Sequence, residues 1–323
     1  MFNQQLMAAI ITITFNPALD KSVTVPELIS EKKLKCSQPV YEPGGGGINV
    51  ARAIKKLGGD PSAIFLAGGF AGDKINELLE EDGIAAQRVN ITGNSRENLI
   101  VSDVATGRQY LFDMPGPEIK PNEWRACLNA VVWTDLVQFI VVSGSIPPGL
   151  PEDIFKRLAF IAAKKKARLI VDTSGKALQQ AVEAGVFMIK PNLKELAYLA
   201  GTDSLTPDTA VDAAKKIITQ NKCQAIVVSM GANGALLVTD QATVEIHQPS
   251  VKVKSTVGAG DSLVAGIVYV LSQNYCLADA VRFGVACGSA ATMNPGTELC
   301  NKADAERIYA AIRQASSETV NLS

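Results

Sequence analysis

Apolar runs of strand length recur along the chain at residues 10–14, 63–67, 139–143, 169–172, 187–190 and 225–229. Segments of helical period lie between them: in 48–57, Ile48, Ala51, Ile54 and Leu57 share one face, and in 151–166, Ile154, Leu158 and Ile161 do the same. Strands alternating with helices predict a parallel sheet covered on both faces. Two regions break this rhythm. Residues 20–43 are short and β-like, with Ser22-Val23-Thr24-Val25 and Leu34-Lys35-Cys36 as candidate strands. Residues 97–114 read as a hairpin of 98–104 and 109–113 turning at Ala105-Thr106-Gly107. The two antiparallel segments are expected to pair into a small second sheet. Having no helix of its own to cover it, that sheet would lie over the main sheet as a lid; an edge hairpin without motion is the competing reading. No internal repeat, low-complexity tract or linker stands out.

Composition narrows the class. A chain of 323 residues with 47% hydrophobic residues can bury a large core. Its 31 basic and 32 acidic residues leave almost no net charge, which argues against a nucleic-acid footprint or an anionic membrane surface and for a small-molecule ligand. Cys36, Cys127, Cys223, Cys276, Cys287 and Cys300 form no CxxC pair, and His247 is the single histidine, so reduced thiols rather than zinc are expected. The opening MFNQQLMAAIITITF has no basic flank and runs into the first strand, so it is read as no signal peptide, and the protein as cytoplasmic.

The segment Lys254-Ser255-Thr256-Val257-Gly258-Ala259-Gly260-Asp261-Ser262 precedes an apolar helix over 263–271. Glycines at a helix entry let the backbone approach a ligand, and the free amides there form an anion hole. Asp261 has two readings: a plain helix cap, or a base that takes a proton from an attacking hydroxyl beside those amides. A second segment, Pro43-Gly44-Gly45-Gly46-Gly47-Ile48-Asn49, spends four glycines at another helix start, which close approach to a hydroxyl-rich ligand explains better than a flexible connection. Asn49 can both donate to and accept from a sugar hydroxyl. In Lys190-Pro191-Asn192-Leu193-Lys194-Glu195 the spacing places Asn192 and Glu195 on one helix face, suited to a water-bound magnesium ion or to an ordinary helix start.

Together these segments resemble the PfkB, or ribokinase-like, carbohydrate kinase family: GGGGINVARAI matches its N-terminal signature and STVGAGDS its C-terminal one, and TFNPALD, SGSIPPG and FGVACGSAAT echo it between and beyond. The resemblance implies an α/β, ribokinase-like fold, a mostly parallel central sheet with helices on both faces and a small β-sheet lid. It implies one domain over 1–323, with the lid from about 16–43 and 96–115. It also implies ATP-dependent phosphorylation of fructose 6-phosphate at the 1-hydroxyl, giving fructose 1,6-bisphosphate in glycolysis; tagatose 6-phosphate and fructose 1-phosphate are alternative acceptors.

By the same resemblance Asp261 would be the catalytic base, with Gly258, Ala259 and Gly260 as the anion hole. Asp20, Gly45, Asn49 and Ser145 would hold the sugar, and Arg96 and Lys33 its phosphate, for which a planar fork and a point charge are both suited. Lys190, Asn192, Ser229 and Gly231 would serve ATP, and Glu195 would act on Mg2+ through water. A potassium loop would fall on Ser255, Val257, Ala291, Asn294 and Gly296, although Pro295-Gly296-Thr297-Glu298 departs from the family by lacking a basic residue. Two chains would pair through their lids as a homodimer, or assemble further.

Other classes fit less well. Neither GxxxxGK[ST] nor the HRD and DFG motifs of protein kinases occur. Ala67-Gly68-Gly69-Phe70-Ala71-Gly72 imitates the dinucleotide turn of an NAD-dependent dehydrogenase with its first glycine missing. A non-catalytic sugar-phosphate sensor would be expected to lack Asp261 or its glycines.

Overall fold

The computed structural model describes residues 9–221 and 223–320; the expectation about a signal peptide bears on residues 1–8, which lie outside them. The first half contains β1 (Ala9–Thr14), β2 (Ala18–Val25), β3 (Val40–Gly44), α1 (Gly46–Lys56), β4 (Pro61–Ala67), α2 (Gly69–Glu81), β5 (Ala85–Asn90), β6 (Arg96–Asp103), β7 (Gln109–Phe112) and α3 (Pro121–Trp133). Next come β8 (Val137–Ser143), α4 (Ile154–Lys165), β9 (Arg168–Asp172), α5 (Gly175–Glu183), β10 (Met188–Ile189), α6 (Leu193–Ala200), α7 (Pro207–Asn221) and β11 (Ala225–Ser229). The chain closes with β12 (Ala235–Thr239), β13 (Thr243–Ile246), α8 (Ala259–Leu271), α9 (Leu277–Thr292) and α10 (Lys302–Val320).

Nine strands form one sheet in the order β13-β12-β11-β10-β9-β8-β1-β4-β5. Its members pair in parallel except at the β11-β12-β13 end, where the pairing is antiparallel. Alternate residues feed opposite faces: Ile11 and Ile13 of β1 and Ile140 and Val142 of β8 pack toward α3, α4 and α5, while Ile10, Phe139 and Val141 pack toward α1, α8, α9 and α10. Strands buried on both faces read as continuous apolar runs, which is why the sequence pattern found them. Helix α8 is buried along every residue from 262 to 271, gripped by α1 on one side and α9 on another.

The second sheet has four strands in the order β3-β2-β6-β7. Two details correct the sequence reading. The central pair, β2 and β6, is parallel; only β2–β3 and β6–β7 are antiparallel. The candidate strand Leu34-Lys35-Cys36 lies in an irregular connection, and the strand falls instead on β3. The lid's own core is small, three buried valines at Val23, Val25 and Val101. No helix among the described residues is long and apolar enough to cross a membrane.

Candidate active site

The chain runs outward from β1 to β4 and β5 in one direction and from β8 to β9, β10 and β11 in the other. Between β1 and β8 the connections leave the sheet in opposite directions, and the crevice at the carboxyl ends of such strands is where α/β sheets take ligands. The four glycines press the start of α1 into this crevice. A Cβ at Gly44 would lie 2.1 Å from Asp20 Oδ2, one at Gly46 would lie 2.3 Å from Ser143 Oγ, and Gly45 has a left-handed φ of 106°. The run is therefore explained by close packing against the site's own residues, not by a ligand approaching each glycine.

Asp261 is the third residue of α8 and does not cap it; the N-cap is Gly258, at a φ of 74°. Its carboxylate is held at both oxygens, Oδ2 accepting from Asn49 Nδ2 at 3.0 Å and Oδ1 from Ser143 Oγ at 3.3 Å. Burial, reinforced by the neighbouring charge of Asp172, pushes the Asp261 carboxyl up to about 7 against the opposing pull of Asn49, Lys190 and Ser143. A carboxylate tuned to that range suits a general base at neutral pH. Ser262 N–H bonds Gly258 O at 2.9 Å and Ala259 N–H reaches Thr256 O at 3.4 Å, so Gly260 and Asp261 present amides with no backbone acceptor among the described residues. Of the expected anion-hole amides, Ala259 is thus the one already engaged.

Two cavities flank this helix start, with Asp261 itself in the lining of neither. One, of about 330 Å³, is lined by Ser229, Gly231, Thr256, Ala259, Gly260 and Leu263 among others. The other, of about 220 Å³, is lined by Asp20, Gly45, Asn49, Asn98, Asp113, Val257 and Thr297 with lid residues Ile100, Leu111 and Phe112. A larger surface groove between α3 and α4, about 590 Å³, is lined by Trp124, Arg157 and Phe160 and holds none of these groups. On the first cavity's side, Lys190 forms an ion pair with Asp172 at 3.2 Å, and its Nζ lies 3.5 Å from where a Cβ at Gly260 would be. Burial works against the Lys190 charge, but Asp172, Glu195 and Asp261 together hold its pKa above the ordinary value. Asp172 itself is raised by burial, partly offset by Lys190 and Ser143. Asn192 and Glu195 form a reciprocal capping box on α6: Asn192 Oδ1 accepts from Glu195 N at 2.9 Å and Glu195 Oε2 from Asn192 N at 2.8 Å. Asn192 therefore precedes the helix rather than sharing a face with Glu195.

In the second cavity, Asp20 Oδ1 accepts from Asn98 Nδ2 at 2.9 Å, across the parallel β2–β6 pair. Burial lifts the Asp20 carboxyl to about 6, despite Asn98 and Arg96 pulling it down. Arg96 donates from Nη2 to Asn16 O at 3.2 Å and from Nη1 to Met114 O at 3.1 Å, and Nη1 also pairs with Asp113. Ser145 accepts from Asn16 Nδ2 at 2.9 Å and is exposed; neither it nor Arg96 is among the residues lining this cavity, whereas Ser143, two residues earlier, is the serine that touches Asp261. Lys33 sits exposed in the connection between β2 and β3 and is not among the residues lining this cavity.

The structure also brings together the loops before α8 and after α9. Ser255 Oγ donates to Gly296 O at 2.7 Å, Lys254 N–H to Thr292 O at 2.8 Å and Asn294 N–H to Ala291 O at 3.1 Å. The Gly68-Gly69 turn packs against the connection after β5, where a Cβ at Gly68 would lie 2.2 Å from Gly93 O, so tight packing accounts for its glycines. Ser143, Asn98, Asp172 and Asp113 escaped the sequence reading. Asp172, a carboxylate ending an apolar run, and Ser143, which ends another and opens SGSIPPG, left a signal; Asn98 and Asp113 left none.

Comparison with known proteins agrees with this geometry. The model of the pfkB family carbohydrate kinases matches residues 11–304. The chain is 43% identical over 305 residues to "ATP-dependent 6-phosphofructokinase isozyme 2" of Escherichia coli (strain K12), covering 94% of this chain and 99% of the relative. It is 34% identical over 291 residues to the 1-phosphofructokinase of Bacillus subtilis (strain 168), covering 90% and 95%. Crystal structures of phosphofructokinase-2 from Escherichia coli match with TM-scores of 0.92 (in complex with potassium), 0.90 (with fructose-6-phosphate) and 0.90 (a tetrameric inhibited form), at 42%, 41% and 42% identity, each covering 95% of this chain and 100% of the solved one. Fold, helix-start geometry and similarity along nearly the whole chain converge: the chain belongs to the PfkB family of carbohydrate kinases.

Proposed function

We propose that the protein transfers the γ-phosphoryl group of ATP to the 1-hydroxyl of fructose 6-phosphate. The observation that carries this reading is Asp261, fixed at both oxygens beside the unpaired amides of α8, with one cavity lined by the neighbouring Ala259 and Gly260 and another by Val257 and by Asn49, the residue that donates to it. The sugar lies against Asp20, Gly45 and Asn49, with its phosphate toward Arg96, the partner of the cavity-lining Asp113; Ser145 stands outside that lining. Asp261 accepts the hydroxyl proton while the oxygen forms its new bond to phosphorus; the bond from that phosphorus to the β-phosphate oxygen breaks and ADP leaves. The proton then passes to solvent. The amides of Gly260 and Asp261 offset the charge that develops on the transferring group, and Lys190 reaches the same phosphates. Lys33 is exposed in the connection between β2 and β3 and does not line this cavity, so it is assigned no contact with the acceptor within the chain.

No group of three or more acidic, Cys or His side chains among the described residues could hold a metal ion by itself, and Asp172 is paired with Lys190, so a Mg2+ ion would depend on the nucleotide's phosphates and on water for most of its ligands. Glu195 would hold it through water, and the ion would neutralise phosphate charge. The joined loops at Ser255, Val257, Ala291, Asn294 and Gly296 offer carbonyls to a potassium ion. Exposed Val40, Leu111, Phe112 and Met114 on and beside the lid sheet support pairing of two chains there; light scattering that finds a monomer at working concentration would remove that inference.

A coupled ADP-release assay with fructose 6-phosphate, tagatose 6-phosphate, fructose 1-phosphate and ribose tests the reading. The expected result is highest kcat/KM on fructose 6-phosphate. Turnover of ribose alone, or of no sugar, would overturn it.

A further inference from the structure

Arg96 is a mostly buried cation, its side chain 9% exposed, and a buried guanidinium needs an anion close by. Within the chain that anion is Asp113, which follows the last residue of β7 and is 73% exposed. Both hydrogens of Arg96 Nη1 are engaged, one by Asp113 and one by Met114 O, and Nη2 gives a hydrogen to Asn16 O. The buried Nε has no partner. A phosphate that takes a hydrogen from Nη1 would have to displace Asp113 or Met114 O.

Two further observations place Asp113 in the acceptor's path. It lines the same cavity as Asp20 and Asn49, together with Leu111 and Phe112 from its own strand. Its charge is also felt at Asp20, where it and Glu42 act in the same direction. Two carboxylates, Asp20 and Asp113, thus line this cavity, and Asp113 is the one that pairs with Arg96 behind it. The pair is asymmetric: Asp113 can swing into water at little cost, whereas Arg96 cannot leave.

We propose that Asp113 is a specificity-determining residue that competes with the acceptor's phosphate for Arg96. A phosphorylated sugar displaces it and satisfies the guanidinium; an unphosphorylated sugar leaves the pair closed and gains nothing from Arg96. The strength of this pair sets a threshold for acceptor entry. The proposal rests on the reading of Arg96 given above, and its test separates the two.

The experiment measures KM for fructose 6-phosphate and for ATP in the full-length enzyme, in Asp113→Asn, Asp113→Ala, Arg96→Ala and the double variant Arg96→Ala/Asp113→Asn. Both Asp113 variants are expected to lower the sugar-phosphate KM about three- to ten-fold, somewhat more than an exposed pair would give because one partner is buried. The KM for ATP should move far less. In the Arg96→Ala background the gain should shrink to less than about two-fold, because the competition has lost its object. Arg96→Ala raising the sugar-phosphate KM while both Asp113 variants leave it unchanged or higher would overturn the inference and leave the functional reading standing. An equal gain with and without Arg96 would also overturn it, as a general charge effect. No change in KM on Arg96→Ala would sink the assignment of Arg96 and this inference with it.

Discussion

The floor of the site and its lid are built on opposite terms. The floor is the start of α8, whose residues 262–271 are all buried and whose acid is held at both oxygens. The lid is a four-stranded sheet with three buried valines, and Val40, Val104, Leu111 and Phe112 are exposed on it or beside it. A region with few buried apolar contacts opens at low free energy, and one packed on all sides opens only with the whole domain. Under the function proposed above, the acid is fixed before any ligand arrives, while Asp20, Arg96 and Asn98, proposed or placed beside the acceptor, stand on the less tightly packed sheet.

The largest effect that would test this division is on the floor. Asp261→Asn removes the proton acceptor while keeping its shape, and turnover is expected to fall at least about 100-fold with the acceptor KM little changed; a fall of only a few-fold in steady-state kcat would show that the acid is not the base. Arg96→Ala, on the lid, should instead raise the fructose 6-phosphate KM about ten-fold or more, the scale of a charged hydrogen bond, and spare the ATP KM. Equal shifts in both would erase the contrast.

The pH profile comes next. Asp261 must be ionised to act, and its carboxyl is raised from 3.8 to about 7, so kcat/KM should drop about ten-fold per unit as pH falls below about 7. The same shift has a stability sign. A raised folded-state pKa makes the proton stabilising at low pH, and that stabilisation is lost as pH rises from about 4 through about 7. Asp261→Asn should therefore melt higher than the parent at pH 8, with the gap closing by pH 5; a lower melting temperature at pH 8 would contradict the burial argument. The smallest effect sharpens the comparison most directly: Val268→Ala in α8 should cost about 2 kcal/mol of global stability and Val101→Ala in the lid about 1 kcal/mol or less, both read from denaturant midpoints.

The sequence made the floor easier to read than the lid, for physical reasons. Strands buried on both faces, such as β1, β8 and β9, show as apolar runs, but β5 with its Gln87, Arg88 and Asn90 is a polar edge, and β12 and β13 are an antiparallel margin that the βα rhythm does not announce. Asp261, Asn49 and Lys190 stand beside glycines or prolines at helix starts, where local spacing already signals a site. Ser143, Asn98 and Asp113 acquire meaning only through pairings across distance: Asn98 meets Asp20 because β2 and β6 run side by side, 78 positions apart in the chain. Local pattern carries no information about which strand end will face which.

The complete burial of α8 also bears on how such an enzyme can diversify. Almost any substitution between 262 and 271 would disturb several packed neighbours at once, so heritable change has little room there, whereas Leu111, Phe112 and Asp113 are exposed within the chain and a change at them disturbs less of its packing. Descendants that adopt a different sugar are expected to carry their new residues at those positions and keep the old engine.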